Sequence, residues 1–289
     1  MNLPPKKQQL LDRALSFLAA VPGVQAVVLG GSQARGTARP DSDLDMGIYY
    51  SESVPFLIAD IQQAAAMLSG HADQEVTNFY GWGPWVNGGG WVHTPDGKID
   101  FLYRNLEQVE RTIQEAQQGI IQHDFDQQPA FGFYSVIYLA ETKVCLPLYD
   151  PQGHIQRLKA QVVSYPPLLK QKTVTSMLWM AEFSLLHADG YAASGDVYAA
   201  AGTCTRVASF LTQALFALNE TYFISDKTVV QEIDAFVLLP PGYLTRLSSV
   251  LGQLGQTTAD LQASVRELRT LWSEIVRLTE GAYRPAFRL

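Results

Sequence analysis

The chain contains few of the residues that build covalently cross-linked or metal-stabilised folds. Only two of its 289 residues are cysteine. Cys145 and Cys204 are too far apart in sequence for a zinc-ligand or redox spacing. We therefore expect both thiols to be buried or idle, and the protein to reside in a reducing compartment. A chain of this length can bury a core large enough to fold without a disulfide or structural metal.

Basic charge and long apolar runs are also scarce. The sequence has 21 Lys and Arg against 28 Asp and Glu, a formal net charge of -7, and no basic stripe. This balance argues against a nucleic-acid partner. No apolar run approaches the length of a membrane span, and the N-terminal segment carries charges inside its apolar pattern, unlike a signal peptide. We therefore expect a cytoplasmic protein with neither a membrane nor a nucleic-acid partner.

The first half of the chain predicts an α/β domain with a mixed sheet over residues 1–150. A leucine pattern at helical spacing opens it and ends at Pro22-Gly23. Two further helices are predicted. The first is VPFLIADIQQAAAMLSG, which ends at Gly70, and the second is LEQVERTIQEAQQG. The predicted strands are VQAVVLG, DLDMGIYY, EVTNFYGWGPWV, GGWVHT and KIDFLYRN, with a turn at TPDG.

The second half predicts an α-helical bundle over residues 151–289. Composition changes near CLPLYDPQG, residues 145–153, and no convincing strand follows. The long helical region is expected to break at Gly190 and Gly195, and a helix cap is expected at Ser225 or Asp226. Two more helices complete the chain. The fold class is therefore α/β (α+β), with a mixed-sheet domain followed by a helical one.

A loop of unusual composition joins the first two predicted strands. Residues 27–50 read VVLGGSQARGTARPDSDLDMGIYY, so that Gly30, Gly31 and Ser32 follow a buried strand and can open a short helix. Backbone amides at such a turn bind phosphate oxygens, because glycine admits close approach and a helix start is positive. The hydroxyl of Ser32 and the charge of Arg35 add to this. The turn therefore predicts a phosphate-binding site.

Two acidic residues, Asp43 and Asp45, open the second strand. Because successive side chains of a strand point to opposite faces, both carboxylates project to one side while Leu44 enters the core. Carboxylates so close repel each other unless a cation lies between them. Magnesium prefers oxygen ligands of this kind. The loop thus predicts a phosphate site beside a metal site.

A third carboxylate is expected where two metal ions act together. Asp100 is the best candidate, because it lies early in a predicted strand and faces away from the apolar Ile99 and Phe101. If that strand lies beside the Asp43–Asp45 strand, Asp100 completes a triad, binds metal and serves as the general base. Glu141, in LAETKV, remains an alternative base or a helix-end charge.

At these residues the sequence resembles the polymerase-β-like nucleotidyltransferase superfamily. Its pattern is Gly-Ser, an interval of about ten residues, Asp-x-Asp and a later strand carboxylate, here represented by Gly31, Ser32, Asp43, Asp45 and Asp100. The local form is similar to small bacterial adenylyltransferases that modify aminoglycosides or lincosamides, and the helical half to their HEPN-like C-terminal domain. The resemblance implies an N-terminal nucleotidyltransferase fold, ATP as co-substrate and two Mg²⁺ ions.

The resemblance also implies phosphate contacts from the helical half. In streptomycin/spectinomycin-type relatives a lysine in a Ser-x-Lys-Asp-like turn reaches the triphosphate, assisted by an arginine on the preceding helix. Lys227 in FISDKTVV lies in a similar turn and TCTRVASF offers Arg206, but their spacing differs from that family's and no Asp follows Lys227.

The implied reaction is transfer of AMP from ATP to a hydroxyl of a small molecule. The resemblance leaves open whether the protein acts as a homodimer, as some relatives do. Two alternatives stay open, namely modification of a partner protein, as by antitoxin-type relatives, and a non-catalytic nucleotide-binding module. Three tryptophans interleaved with glycines either line a pocket for a ring or pack the rim of the sheet. They are Trp82, Trp85 and Trp91.

Overall fold

The computed structural model describes residues 3–127 and 130–288. The chain divides into two compact units, which are residues 1–115 with 122–164, and residues 116–121 with 165–289. The sequence places the division at residue 150. In the structure the chain passes from the first unit to the second for the last time between Ser164 and Tyr165. Residues 116–121 of the first half also belong to the second unit.

The first unit is a mixed sheet with helices. Its helices are α1 (Pro5–Ala19), α2 (Gly31–Arg35), α3 (Ile58–Ser69), α4 (Leu106–Gln117), α5 (Val136–Val144) and α6 (His154–Gln161). Its strands are β1 (Val24–Leu29), β2 (Leu44–Tyr50), β3 (Gly89–Thr94), β4 (Gly97–Asn105), β5 (His123–Asp124), β6 (Phe133–Tyr134) and β7 (Leu146–Tyr149).

The main sheet has five strands in the order β3-β4-β2-β1-β7. Strands β2 and β4 run parallel, whereas their outer neighbours are antiparallel. One face of the sheet packs against α1 and α3, where Leu44, Met46, Ile99 and Phe101 are all buried. Alternation then places the residues between them, including Asp45 and Asp100, on the opposite face. The apolar face therefore fixes which side chains point towards the candidate site.

The end of the opposite face that lies away from Asp100 holds an ion pair between a buried arginine and a partly exposed glutamate. Arg104 of β4 donates from Nε and Nη2 to the two carboxylate oxygens of Glu141 in α5, each over 2.9 Å. It also donates to the Val86 and Tyr103 carbonyls. Burial alone would lower the pKa of Arg104, but the adjacent Glu141 carboxylate raises it above its ordinary value. This end of the sheet is therefore filled, while the Asp100 end is not.

The second unit is helical, as the sequence predicts. It contains α7 (Pro167–Ser194), α8 (Val197–Leu218), a 3₁₀ turn (Asp226–Thr228), α9 (Val229–Asp234), α10 (Tyr243–Gly252) and α11 (Thr258–Leu278). Helices α7, α8 and α11 pack together through fully buried side chains such as Leu185, Leu211 and Leu268. Asp196 caps α8 by accepting from the Ala199 amide over 3.0 Å.

The prediction of a strand over residues 75–86 is wrong. In the structure this segment is a succession of turns, because Gly81, Gly83 and Pro84 interrupt an extended chain. The buried Asn87 holds the segment in place by donating to the Pro84 carbonyl over 3.1 Å and accepting from the Asn105 amide over 3.0 Å. A polar anchor and glycines thus replace the predicted strand.

The sequence misses one strand near the boundary of the helical half and misplaces one helix break. Strand β7 lies inside the segment of residues 145–153, and it escapes notice because Pro147 interrupts it. Proline is tolerated there because β7 is an edge strand. Helix α7 continues through Gly190. The glycine destabilises a helix interior by only about 1 kcal/mol, and the burial of the nearby Ala188 and Ala192 offsets this. Gly195, at φ +72°, does end it.

Both cysteines are buried, as expected. Burial raises the pKa of the Cys145 and Cys204 thiols to about 11, so both are protonated near neutral pH.

Among the helices of residues 3–127 and 130–288, none combines the length and the apolarity that crossing a bilayer requires.

A buried carboxylate fixes the C-terminal segment of the second unit. Glu182 of α7 is 0% exposed and accepts from the Tyr283 hydroxyl and from the Ala286 and Phe287 amides. We predict that Glu182→Ala lowers the free energy of unfolding by about 3 kcal/mol, because buried donors lose their acceptor. Urea unfolding followed by circular dichroism measures this. The control Glu110→Ala, on an exposed part of α4, should change stability by less than about 0.5 kcal/mol, and equal effects of both would contradict the prediction.

Candidate active site

Three aspartates predicted from the sequence lie at one end of the sheet's uncovered face. The parallel register of β2 and β4 sets Asp45 directly beside Asp100. Asp43 immediately precedes β2, two residues from Asp45 and therefore on the same side of the strand. All three side chains are partly accessible to solvent. The condition under which Asp100 would complete the triad, that its strand lies beside the Asp-x-Asp strand, is met.

A lysine that the sequence analysis missed lies between two of these carboxylates. Lys98 Nζ is 3.1 Å from Asp43 Oδ2 and 2.9 Å from Asp100 Oδ1. Burial alone would lower the pKa of Lys98, but its hydrogen bonds to Asp100 and Asp43 and their negative charges raise it above the ordinary value. Within residues 3–127 and 130–288, no three His, Cys, Asp or Glu side chains converge as metal ligands. An ammonium group stands between the acids instead.

The Gly-Gly-Ser turn packs directly against Asp45. The Gly30 amide donates to the Asp45 carbonyl over 2.8 Å, and α2 begins at the next residue. Gly31 has φ +57°, and a Cβ placed there would collide with the Asp45 carboxylate. Only glycine therefore allows the turn to lie this close to the acid. Ser32 is the second residue of α2, and Arg35 is its last.

The loop that leads into Asp43 is held by a second residue that the sequence did not single out. Lys7 of α1 donates to the Pro40 carbonyl over 2.8 Å and to the Ser42 carbonyl over 2.5 Å. The Arg39 amide donates to the Ser42 hydroxyl over 2.8 Å. These contacts fix the backbone immediately before Asp43. No sequence signal would have paired Lys7 with residues more than thirty positions away.

The three tryptophans differ in burial, and only one of them takes the packing role. Trp85 is buried and stacks on Phe133, with ring centroids 5.2 Å apart, so it packs the domain. Trp91 is 60% exposed and stacks on Trp82 at 5.2 Å. The antiparallel register of β3 and β4 pairs Trp91 with Asp100. An exposed aromatic surface thus borders the carboxylates.

Glu141, the alternative base, lies away from the three aspartates. Both of its carboxylate oxygens accept from Arg104, which is four residues beyond Asp100 along β4. That separation is about 13 Å along a strand. A carboxylate that is held in this way serves the fold, so the geometry favours Asp100 over Glu141 as a base.

The two residues predicted to reach phosphate from the helical half lie in the second unit. Lys227 is exposed within the 3₁₀ turn, where its backbone amide donates to the Ser225 hydroxyl over 3.1 Å. Arg206 is exposed on α8, and its guanidinium lies 5.8 Å from the centre of the Phe210 ring. Their contact with a nucleotide stays a prediction.

The comparisons with known proteins concern the turn and the first two aspartates. Residues 11–84 match the family model of the nucleotidyltransferase domain. This range includes Gly31, Asp43 and Asp45, and it ends before Asp100. No curated protein matches the chain significantly.

One solved structure resembles the whole chain in fold. It is a nucleotidyltransferase-like protein from Exiguobacterium sibiricum 255-15, with a TM-score of 0.50 and 10% sequence identity. The similarity covers 96% of this chain and 78% of the other. At that identity the likeness concerns the fold alone. With the family match, the general activity is nucleotidyl transfer.

The contact between Gly31 and Asp45 generates a prediction about nucleotide binding. Gly31→Ala should weaken nucleotide binding by at least about tenfold, because its Cβ displaces the carboxylate that the turn packs against. Isothermal titration calorimetry with ATP measures this. Gly36→Ala is the matched control, since Gly36 also has a positive φ, +71°, but an added Cβ meets nothing within 4 Å. Equal losses in both variants would mean that backbone strain, rather than the contact with Asp45, explains the effect.

Proposed function

We propose that this nucleotidyltransferase transfers a nucleoside monophosphate, AMP from ATP, to a hydroxyl group of a small molecule. The observation that carries the proposal is the parallel pairing of Asp45 with Asp100, with Asp43 alongside and the Gly30–Ser32 turn packed against them. Carboxylates on neighbouring strands beside a glycine turn meet the needs of a nucleotide with its cation. The family match over residues 11–84 supports the same reaction class.

The side-chain chemistry of the three aspartates suits magnesium, although among the residues that the structure describes Lys98, and not a converged set of metal ligands, links them. Asp43, Asp45 and Asp100 offer the hard oxygen ligands that Mg²⁺ prefers. The ammonium of Lys98 already stands between two of them, so a positive charge is accommodated at that position. We propose that the three aspartates hold two Mg²⁺ ions. When bound, the metal supplies charge neutralisation on the triphosphate.

The chain's own residues have distinct tasks in the proposed reaction. Asp100 accepts the proton of the acceptor hydroxyl, whose oxygen forms a bond to the α-phosphorus while pyrophosphate leaves. Gly31 and Ser32 contact the β- and γ-phosphates through backbone amides and a hydroxyl. Because little covalent chemistry falls to the protein, most of the rate gain comes from positioning and charge.

The exposed tryptophans support an acceptor that contains a ring. Trp91 of the adjacent strand lies in register with Asp100, so it borders the carboxylate that an acceptor hydroxyl would reach. The Trp82–Trp91 stack offers a flat aromatic face to such a ring. A sugar-like antibiotic is one acceptor of this kind.

The first test of the proposal is a transfer assay. The protein is incubated with ATP labelled at the α-phosphate, magnesium and a panel of aminoglycosides and lincosamides. Label on a small molecule supports the proposal. Label on a polypeptide from a pull-down would instead indicate a protein acceptor, and ATP binding without any transfer would indicate a non-catalytic module.

The carboxylates generate a prediction about turnover. Asp43→Asn and Asp45→Asn should each lower kcat by at least about a hundredfold, since an amide cannot replace an anionic metal ligand, while circular dichroism shows an unchanged fold. Asp41→Asn is the matched control, because Asp41 lies in the same loop but pairs weakly with Arg39, at 3.9 Å, on the exposed side. Wild-type turnover in either site variant would refute this assignment of the metal ligands.

The aromatic surface generates a separate prediction. Trp91→Ala should raise the KM for the acceptor about tenfold and leave ATP affinity unchanged, because stacking is lost on the acceptor side only. Steady-state kinetics with each substrate varied in turn measures both effects. Leu57→Ala is the control, since Leu57 is also largely exposed but follows the far end of β2. An effect of Trp91→Ala on ATP affinity alone would assign the stack to the nucleotide.

A further inference from the structure

The position of Lys98 is not explained by the proposed reaction. It is the second residue of β4 and shares a face with Asp100, two residues further on. Its ammonium contacts Asp43 from the loop before β2 and Asp100 from its own strand. A single side chain therefore links two acids that belong to different segments of the chain.

The electrostatics of Asp43 and Asp100 favour a cation between them. Asp43, Asp45 and Asp100 lie on neighbouring strands with partial burial, where like charges repel more strongly than in water. The Asp100 side chain is only 18% exposed, so solvent screens it weakly. In a protein without bound metal, Lys98 supplies the compensating charge.

We infer that Lys98 is the resident cation of this site, and that a divalent metal must displace its ammonium before Asp43 and Asp100 can bind that metal. The inference rests on the proposed function, because it concerns the same carboxylates. The ammonium lies within 3.1 Å of an oxygen of each acid, so it already engages the two carboxylates that would hold the metal. Two cations cannot occupy that space together, so metal binding is an exchange.

The side chain of Lys98 has the freedom that the exchange requires. It is 29% exposed, and lysine carries its charge at the end of a flexible four-carbon stem. Its backbone is paired with His93 of β3 in the sheet, so the displaced ammonium stays near the site. The exchange therefore makes metal binding weak in the absence of nucleotide, whose phosphates provide further oxygen ligands.

The test measures metal binding rather than turnover, with Mn²⁺ as the probe and no nucleotide present. Lys98→Met should bind Mn²⁺ about tenfold more tightly than the wild type by titration calorimetry or electron paramagnetic resonance, because the competing charge is gone. Lys98→Arg should keep wild-type affinity or bind more weakly. Lys170→Met is the matched control, since Lys170 forms an ion pair of 2.8 Å with Glu220 in the second unit and should not alter Mn²⁺ affinity.

Thermal unfolding provides a second readout. Without metal, Lys98→Met should melt at a lower temperature than the wild type, because the aspartates repel each other, and Mn²⁺ should raise its Tm by more than that of the wild type. If Lys98→Met does not fold, Lys98→Gln serves in its place. An unchanged or weaker Mn²⁺ affinity in the neutral variant overturns the inference.

The outcomes separate this inference from the proposed function. If the wild type transfers AMP but loss of the Lys98 charge leaves Mn²⁺ affinity unchanged, the exchange is wrong and the function stands. If no acceptor is labelled although the neutral variant binds Mn²⁺ more tightly, the exchange stands and the proposed function is wrong. Adding Asp100→Asn to Lys98→Met should abolish the gain in Mn²⁺ affinity. That result would show that the Mn²⁺ is bound at these carboxylates.

Discussion

The parallel pairing of β2 with β4 is the constraint on which the candidate site depends. It sets Asp45 beside Asp100 although 55 positions separate them in the chain, and it is the parallel contact in an otherwise antiparallel five-stranded sheet. A shift of one residue in this register would send Asp100 into the apolar layer and Ile99 outwards. The burial of Leu44, Met46, Ile99 and Phe101 prevents such a shift. The core therefore positions the polar face.

The polar face is itself divided along β4. At one end Arg104 and Glu141 neutralise each other in a filled space beneath α5. At the other end Lys98, Asp100 and the exposed Trp91 remain accessible. Both ends thus pair a cation with a carboxylate, but the cation is only 6% exposed at the Arg104 end and 29% exposed at the Lys98 end. Chemistry on a ligand needs an accessible cation, and the buried Arg104 holds the strand that carries it.

The sequence predicted those parts of the site that are encoded locally. Gly31, Ser32, Asp43 and Asp45 lie within one loop, and the alternation around Asp100 reveals its face without knowledge of its neighbours. The same alternation places Lys98 on the face of Asp100. Its contact with Asp43, however, depends on the order of the strands in the sheet, which no local pattern contains. The same is true of Lys7 and of the Arg104–Glu141 pair. Strand β7 was missed because Pro147 masks an edge strand, and the segment over residues 75–86 was mistaken for a strand because its aromatic residues outweighed its glycines.

The path of the chain between the two units has a consequence for dissecting the protein. Residues 116–121 belong to the second unit, after which the chain returns to the first until residue 164. Within that excursion Gly119 lies so close to the Leu168 carbonyl and the Lys172 side chain that no larger residue fits. A gene fragment ending at either boundary would carry away a piece of its neighbour's packing. Recombination between relatives, or truncation in the laboratory, must therefore exchange at least two separate stretches of coding sequence to move one unit intact.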